Sequence, residues 1–184
     1  MKSISPQHWG PSGWSILHRV SFYLSLRDID DVIQFFQTLQ HILPCTKCRR
    51  NISTHINCLP IPDTVEEVPK WVWKLHTRIS KSIKTDYTPP SWSSVKAIYS
   101  STKDYDYTQE HAFLFALEET HPSKRAITPE HVQALVTFMK MYVNSVQIDC
   151  NVTEDTVKSK TKLKHLIQKI TKVKHHTAFT SCEV

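Results

Sequence analysis

The chain has 184 residues, of which 40% are hydrophobic. That is enough for one domain with a core, or for a compact domain with an appended lobe. It contains only two glycines, Gly10 and Gly13, and therefore lacks the turn residues that tight β-hairpins require. The net charge of +6 resides in residues 156–184, because residues 1–155 are neutral overall. The composition excludes a glycine-rich sandwich or barrel and predicts an all-α body with a basic tail.

Apolar periodicity predicts five helices joined by short loops in the first half of the chain, at residues 9–25, 31–43, 45–57, 65–84 and 91–101. Pro11 suits the first turn of the first helix, Asp28 or Asp30 can cap the second, and Ser91 can cap the fifth. The side chains expected on the buried face of the fourth helix are those of Val72, Leu75, Ile79 and Ile83. These helices predict a four-helix bundle with a short fifth helix.

The remaining chain predicts a C-terminal helical extension. A second helical lobe is expected at about residues 108–147, and beyond it the tail has the pattern of a basic amphipathic helix or of a solvated extension. Its apolar positions are Leu163, Leu166, Ile167, Ile170 and Val173. We therefore divide the chain into a bundle at 1–104, an extension at 105–150 and a basic tail at 151–184.

No apolar run approaches the ~20 residues of a membrane span, and the N-terminal residues have no apolar signal core. A protein that is neither membrane-spanning nor secreted by the usual route is expected. The tail has no aromatic residue at 156–178 on which bases would stack, so nucleic acid is not an expected partner.

The chemistry of the sequence centres on Cys45 and Cys48, a Cys-x-x-Cys pair directly after Pro44. At the start of a helix, free backbone N–H groups and the helix dipole favour the thiolate, which suits a redox dithiol. Two inert core thiols have the same spacing. A zinc site is the third interpretation, because Cys45, Cys48, His55 and Cys58 have ligand types and separations that zinc accepts.

Aromatic and imidazole rings recur on two other helices. Trp14 and His18 lie four residues apart on the first helix, and Trp73, His76 and Ser80 share a face of the fourth. Each ring alone is explained by an ordinary core position. Together they predict a pocket for a flat heteroaromatic ligand. A non-catalytic helical interaction protein is the alternative if no such ligand binds.

The order W-G-P-x-x-W-x-x-L-H at 9–18, P-C-x-x-C at 44–48, W-x-x-x-x-H at 71–76 and a tryptophan at 92 resembles the FAD-linked sulfhydryl oxidases of the Erv/ALR type. The likeness covers about residues 9–100 and is greatest to the compact forms of large DNA viruses. It implies a thiol oxidase that passes electrons from Cys45 and Cys48 through FAD to O2, with release of H2O2. Cys45 would exchange with substrate, and Cys48 would adjoin the flavin. The implied cofactor-binding residues are Trp9, Gly10, Trp14, His18, Tyr23, Trp73, His76, Ser80, Lys84 and Trp92.

The resemblance also implies partners and a location. We expect a protein thiol substrate, such as a small thioredoxin-like or CxxC protein, a homodimer, and for a viral member the host cytoplasm or the virion. The sequence departs from the family in reading HTRIS at 76–80 in place of H-N-x-V-N. Cys58 has no cysteine partner near 65–75 and is expected to be a free, buried thiol. Cys150 and Cys182 are either a shuttle or intersubunit disulfide, or unpaired or structural cysteines.

Overall fold

A computed structural model of the protein describes residues 3–100, 107–172 and, for the backbone, 181–182. The bundle helices are α1 Pro6–Leu24, α2 Ile29–Ile42, α3 Thr46–Cys58, α4 Val68–Ile83 and α5 Trp92–Tyr99. The extension and tail form α6 His111–Glu119, α7 Pro129–Ser145, α8 Glu154–Lys158 and α9 Lys160–Lys172. The only strands in the described residues are β1 Asp149–Cys150 and β2 Ser181–Cys182, which pair in parallel. The predicted all-α class is confirmed.

Capping residues set where the helices begin. The Ser91 hydroxyl caps α5 by accepting the N–H of Ser94, as predicted. Asp28 occupies the N-cap position of α2, but its side chain makes no capping hydrogen bond there. The expected start of α1 was wrong. That helix begins at Pro6 and not at residue 9, because Ser5 supplies the cap. Pro11 therefore lies inside α1 and not in its first turn.

Helix α1 is the centre of the molecule. It packs against α4 on the bundle side and against α6 and α7 on the other, while α2 contacts α3 and α7. One buried apolar cluster joins the bundle to the extension, for example through Phe35 of α2 and Phe138 of α7, whose rings lie 5.3 Å apart. The domain boundaries drawn from the sequence stay predictions, and the helices of both parts share this core.

The close contact between α1 and α6 explains Gly13. A Cβ atom at this position would lie 2.9 Å from the ring of Phe113, which is itself buried. The hydroxyl of Ser12 accepts the N–H of Phe113 at 2.9 Å and so satisfies a free donor in the first turn of α6. A larger residue at Gly13 would force the extension away from α1.

The basic tail is a folded element and not only a solvated one. Leu163, Leu166, Ile167 and Ile170 are buried where α9 packs on α6 and α8. The amphipathic helix predicted here is confirmed for these residues, while Val173 lies outside the described residues. Because its apolar face is covered, α9 presents its lysine-rich face to solvent.

Ile83, predicted on the buried face of α4, differs from the expected pattern. It is 75% exposed, because it is the last residue of that helix.

Among the described helices, none combines the length and the apolar character that a membrane span needs.

Candidate active site

A disulfide stands at the start of α3. Cys45 is the N-cap residue, and its Sγ accepts the N–H of Cys48 at 3.1 Å. The two cysteines are joined by a disulfide, with their Cα atoms 5.1 Å apart. After reduction, the same N–H and the helix dipole stabilise negative charge on the Cys45 sulfur. The predicted placement of both cysteines at the start of a helix is confirmed, and their role as a redox dithiol stays a prediction.

Basic side chains surround the disulfide in two different ways. Lys47 and Arg50 are exposed, so they can raise the local positive potential and attract an acidic partner. Arg49 is turned inward, where it donates to the carbonyl oxygen of Leu43 and to the hydroxyl of Thr46. Burial lowers the pKa of Arg49 from its usual value. Arg49 thus fixes the loop that leads into α3.

The zinc interpretation does not fit this geometry. Cys45 and Cys48 are consumed by their disulfide, and Cys58 lies ten residues further along a continuous helix, about 15 Å away at 1.5 Å per residue. A zinc ion holds its sulfur ligands at only about 2.3 Å. Within the described ranges, no three His, Cys, Asp or Glu side chains are placed to hold a metal ion.

The expectation that Cys58 is buried was wrong. Its thiol is free, as expected, but the residue is exposed at the C-terminal end of α3. The buried face of this helix passes through Ile52, and with 3.6 residues per turn Cys58 points about 120° away from that residue.

Four rings from three helices meet beside α1. Trp14 stacks on His76 with ring centroids 4.2 Å apart and planes 11° apart, and His18 stacks on Tyr99 at 5.2 Å. Nε2 of His18 and Nδ1 of His76 are 3.1 Å apart and share one hydrogen bond. These four residues, Trp14, His18, His76 and Tyr99, are called the ring cluster below. The sequence predicted that the first three would come together.

A second group of rings adjoins α5. Phe22 stacks on Trp92 at 6.1 Å, and Trp92 lies 6.3 Å from Trp73. The indole of Trp73 donates to the carbonyl oxygen of Pro90 at 2.9 Å, which fixes the turn before α5. Tyr87 lies 6.0 Å from His76 and was missed by the sequence analysis. Only its position in the loop between α4 and α5 could have indicated it.

Both histidines of the ring cluster are neutral near pH 7. Burial, and to a smaller extent the charge of neighbouring His76, lower the pKa of His18 to about 3. Burial alone lowers the pKa of His76 to about 4. A neutral imidazole can both donate and accept a hydrogen bond, so the pair can contact a polar aromatic group without adding charge.

These shifts predict that the protein is less stable in mild acid. Unfolded histidine titrates near 6.5, so between about pH 4 and pH 6.5 the unfolded chain binds more protons than the folded one. We expect the free energy of unfolding to fall by about 1–2 kcal/mol for each histidine between pH 7 and pH 5. Urea denaturation at the two pH values measures it. His18→Gln should reduce the difference, and an equal difference in the variant would contradict the prediction.

The ring cluster fits the flat cofactor that the resemblance implies. In the described part of the chain, Nδ1 of His18 and Oγ1 of Thr77 are buried without a hydrogen-bond partner. Buried polar atoms are normally satisfied, so such atoms mark positions for a ligand. Thr77 replaces the first asparagine of the family motif and still offers a hydroxyl. Stacked rings with two free polar atoms suit the heteroaromatic rings of FAD.

Three other predicted cofactor residues, Ser80, Lys84 and Gly10, differ in how far they are exposed to solvent. Ser80 is half-buried one turn beyond His76, and Lys84 is 69% exposed, with only a loose ion pair of 3.8 Å to Asp86. An exposed pair of this kind is weak, which leaves the lysine able to bind phosphate. Gly10 is half-buried in α1, and a Cβ there would meet only Pro6, at 4.0 Å.

Trp9 and Tyr23, also predicted to bind the cofactor, contact residues outside the ring cluster. The indole of Trp9 packs edge-on against the ring of Phe113, with the ring centroids 5.5 Å apart. The Tyr23 hydroxyl accepts a hydrogen bond from Arg27, and the Tyr23 side chain lines a surface cavity of about 640 Å³.

That cavity is also lined by Tyr99 of the ring cluster and by Cys150, which is disulfide-bonded. Cys150 pairs in register with the backbone of residue 182, whose side chain lies outside the described residues.

The described architecture defines a helical redox module, in which a CxxC disulfide begins one helix and aromatic and imidazole rings line its neighbours. The sequence of this module was compared with models of known protein families. Residues 11–100 match the model of the Erv1/Alr family. This segment of the chain is therefore an Erv1/Alr domain, as the ordered motifs predicted.

Individual relatives are similar over up to half of the chain. A mimivirus protein named a probable FAD-linked sulfhydryl oxidase is 31% identical over 85 residues, which cover 42% of this chain and 59% of that protein. The FAD-linked sulfhydryl oxidase of African swine fever virus is 27% identical over 97 residues, 50% of this chain and 80% of that protein. The mitochondrial FAD-linked sulfhydryl oxidase of Saccharomyces cerevisiae is 26% identical, over 42% of its own length. No solved structure matches the chain significantly.

Proposed function

We propose that this protein is an FAD-linked sulfhydryl oxidase that forms disulfides in protein substrates and releases H2O2. The observation that supports this best is the Cys45–Cys48 disulfide at the start of α3, in a segment that matches the Erv1/Alr family. A disulfide that caps a helix accepts electrons readily, because the helix end stabilises the thiolate formed on reduction.

The protein's own residues would perform the thiol exchange. A substrate thiolate attacks Sγ of Cys45, the Cys45–Cys48 bond breaks, and Cys48 leaves as a thiolate. The second substrate thiolate then attacks the sulfur bonded to Cys45, which forms the substrate disulfide and leaves both cysteines reduced. Two electrons and the thiol protons have thereby passed from substrate to enzyme. The N–H of Cys48 and the exposed Lys47 and Arg50 favour the thiolate forms.

FAD held at the ring cluster would supply the acceptor for these two electrons and the route by which O2 becomes H2O2. We assign Trp14, His18 and His76 to the rings of the cofactor and Trp92 with Trp73 to the wall of its pocket. Lys84 would neutralise a phosphate, and Ser80 with Thr77 would supply hydrogen bonds. Trp9, Gly10 and Tyr23 remain predicted contacts that follow from the family motif.

Substrate, assembly and location complete the proposal. The substrate is a protein dithiol, such as a small thioredoxin-like or CxxC protein, and for a viral protein the site of action is the host cytoplasm or the virion. A homodimer is proposed by resemblance to the family. Because α6 and α7 cover faces of α1 and α2, a second copy would pack against other surfaces of the bundle. Residues 105–184 would serve to support the bundle, and nucleic acid is not a proposed partner.

A spectrum and an oxygen electrode test the proposal. The purified protein should be yellow, with the flavin absorbance at about 350–500 nm, and it should consume oxygen when dithiothreitol is added. One H2O2 should form for each disulfide produced. A colourless protein that stays inactive after incubation with FAD would refute the assignment and favour a non-catalytic helical interaction protein.

A further inference from the structure

The segment before α1 lies along the loop that leads into the active disulfide. The N–H of Ile4 donates to the carbonyl oxygen of Pro44 at 2.9 Å, and the hydroxyl of Ser3 accepts the N–H of Thr46 at 3.3 Å. Residues 3 and 4, here called the N-terminal strap, therefore bond to the backbone on both sides of Cys45. Nothing in the proposed thiol exchange requires these two bonds.

The strap is held in place from behind. The indole of Trp9 donates to the carbonyl oxygen of Ile4 at 3.2 Å, and the Ile4 side chain packs on the hydrophobic core. Ser5, the next residue, caps α1, so the strap has a fixed point one residue away. Movement of the strap therefore requires only the loss of a few partly exposed hydrogen bonds and one half-buried side chain.

The exposure of the two sulfur-bearing residues is the reverse of what the exchange reaction needs. Cys45, which has to meet the substrate, is only 7% exposed, whereas Cys48 is half-buried. A thiolate has to reach the sulfur it attacks, so access limits the rate of exchange. Some group beside Cys45 must move before a protein substrate can react.

The strap is better placed to move than the loop it covers. Arg49 clamps the loop from within α3 through Leu43 and Thr46, and Pro44 has a fixed φ angle. The strap consists of two residues with one side-chain bond and one backbone bond to the loop. The loop can thus keep its shape while the strap leaves.

We propose that the N-terminal strap covers Cys45 in the resting protein, and that an extended cysteine-bearing segment of the substrate displaces it. The segment would donate an N–H to the Pro44 oxygen and accept the N–H of Thr46, as the strap does. Extended peptides commonly bind by such backbone pairing. The exposed Lys47 and Arg50 favour acidic residues beside the reacting cysteine. This proposal rests on the proposed function only in taking Cys45 as the exchanging sulfur.

Alkylation of the reduced protein tests directly whether the N-terminal strap covers Cys45, and it needs neither FAD nor turnover. Iodoacetamide labelling is followed by mass spectrometry at Cys45, with the exposed Cys58 of the same molecule as internal reference. Ser3→Ala removes the acceptor for Thr46, and Ile4→Pro removes the donor to Pro44. Because the helix start favours the Cys45 thiolate in every variant, the Cys45 rate is normalised to Cys58 and compared between proteins. We expect Cys45 to be labelled about five- to tenfold faster in either variant than in the unmodified protein, the effect of losing one hydrogen bond.

Ile4→Val is the matched control, because it keeps the backbone N–H and a branched apolar side chain. It should label like the unmodified protein, and Cys58 should be labelled equally in all four proteins. The proposal is overturned if Ser3→Ala and Ile4→Pro leave the rate of Cys45 labelling unchanged. Ser3→Ala changes only one hydroxyl and keeps the test valid if Ile4→Pro does not fold.

Steady-state kinetics show whether the substrate displaces the strap or the strap helps to bind the substrate. With the FAD-loaded protein, kcat/KM is measured for dithiothreitol and for a linear peptide with an acidic Cys-x-x-Cys sequence. If the substrate displaces the strap, both values rise in Ser3→Ala and Ile4→Pro. A lower value for the peptide alone would mean that the strap helps to bind substrate and would refute displacement. If the unmodified protein oxidises neither thiol, the proposed function fails while the labelling result still decides whether the strap covers Cys45.

Discussion

Replacing Cys45 or Cys48 with serine should lower kcat for thiol oxidation by at least about 10³-fold, the scale of losing a covalent catalytic group. Neither sulfur can be spared, because Cys45 forms the bond to substrate and Cys48 is the leaving group that releases electrons. FAD should remain bound in both variants, since the ring cluster is built from α1, α4 and α5. Oxygen consumption with dithiothreitol and the flavin spectrum together measure the two effects.

The two substitutions should differ in what they trap. In Cys48→Ser, the Cys45 thiolate can attack the disulfide of a single-cysteine peptide activated with thionitrobenzoate and release thionitrobenzoate. The resulting mixed disulfide has no second thiol on either chain to resolve it, whereas Cys45→Ser lacks the exchanging sulfur. Non-reducing electrophoresis with that activated peptide should therefore show a stable adduct only with Cys48→Ser. An adduct only with Cys45→Ser would reverse the roles of the two cysteines.

Cys58→Ser is the matched control for these substitutions. It removes a thiol of the same size from the same helix, and the residue is exposed and unpaired. Its activity and flavin content should equal those of the unmodified protein. Loss of flavin in both active-site variants but not in this control would show that the Cys45–Cys48 disulfide has a structural role, and would contradict the proposed chemistry.

The sequence predicted those features that depend on local pattern. The cap at Ser91 and the redox position of Cys45 follow from helix-end chemistry, which is set by neighbouring residues. The recurrence of aromatic and imidazole rings on two helices predicted that Trp14, His18 and His76 would line one pocket, and the ordered motifs of a known family supported that expectation. Periodicity on two separate helices gives no distance between them, and it could not have predicted that these rings stack.

The errors arose where tertiary contacts or helix ends decide the outcome. Ile83 continues an apolar pattern, but α4 ends there, beyond the neighbour that would bury it. Cys58 was expected to be buried because cysteine usually is, although its angle around α3 points it outward. The contact of Gly13 with Phe113 joins positions 100 residues apart. No local pattern could have indicated it.

The least predictable feature is a buried ion pair between the bundle and the extension. Nε of Arg19 in α1 lies 3.0 Å from Oε1 of Glu110, and the two side chains are 2% and 0% exposed. Tyr142 of α7 also hydrogen-bonds to Glu110, and its pKa is raised well above the usual value, first by burial and then by that carboxylate. The Arg19 guanidinium lies over the Tyr107 ring at 4.6 Å. A charged residue in α1 would ordinarily be expected to face solvent.

This pair also supports the ring cluster from behind. The guanidinium of Arg19 lies 5.9 Å from the ring centroid of Tyr99, which in turn stacks on His18. Glu110 of the extension thereby holds Arg19 in place beside Tyr99, which forms one wall of the proposed flavin pocket. Weakening the pair should affect the cofactor site as well as the stability of the fold.

Breaking one half of the pair should strongly destabilise the protein. Glu110→Gln leaves the Arg19 charge buried without its counter-charge, and Arg19→Met does the same to the carboxylate. We expect each to lower the free energy of unfolding by about 3–5 kcal/mol, measured by urea denaturation. The double variant Arg19→Met with Glu110→Gln should cost less than the sum of the two, because it removes both charges.

An exposed pair provides the matched control for this prediction. Lys158 and Glu154 are 2.7 Å apart on α8 but are 54% and 58% exposed, so solvent already screens their attraction. Lys158→Met should change the free energy of unfolding by no more than about 0.5 kcal/mol. If Glu110→Gln costs as little as Lys158→Met, the buried pair does not join the extension to the bundle. If it is destabilising but FAD affinity is unchanged, Arg19 stabilises the fold without shaping the cofactor pocket through Tyr99.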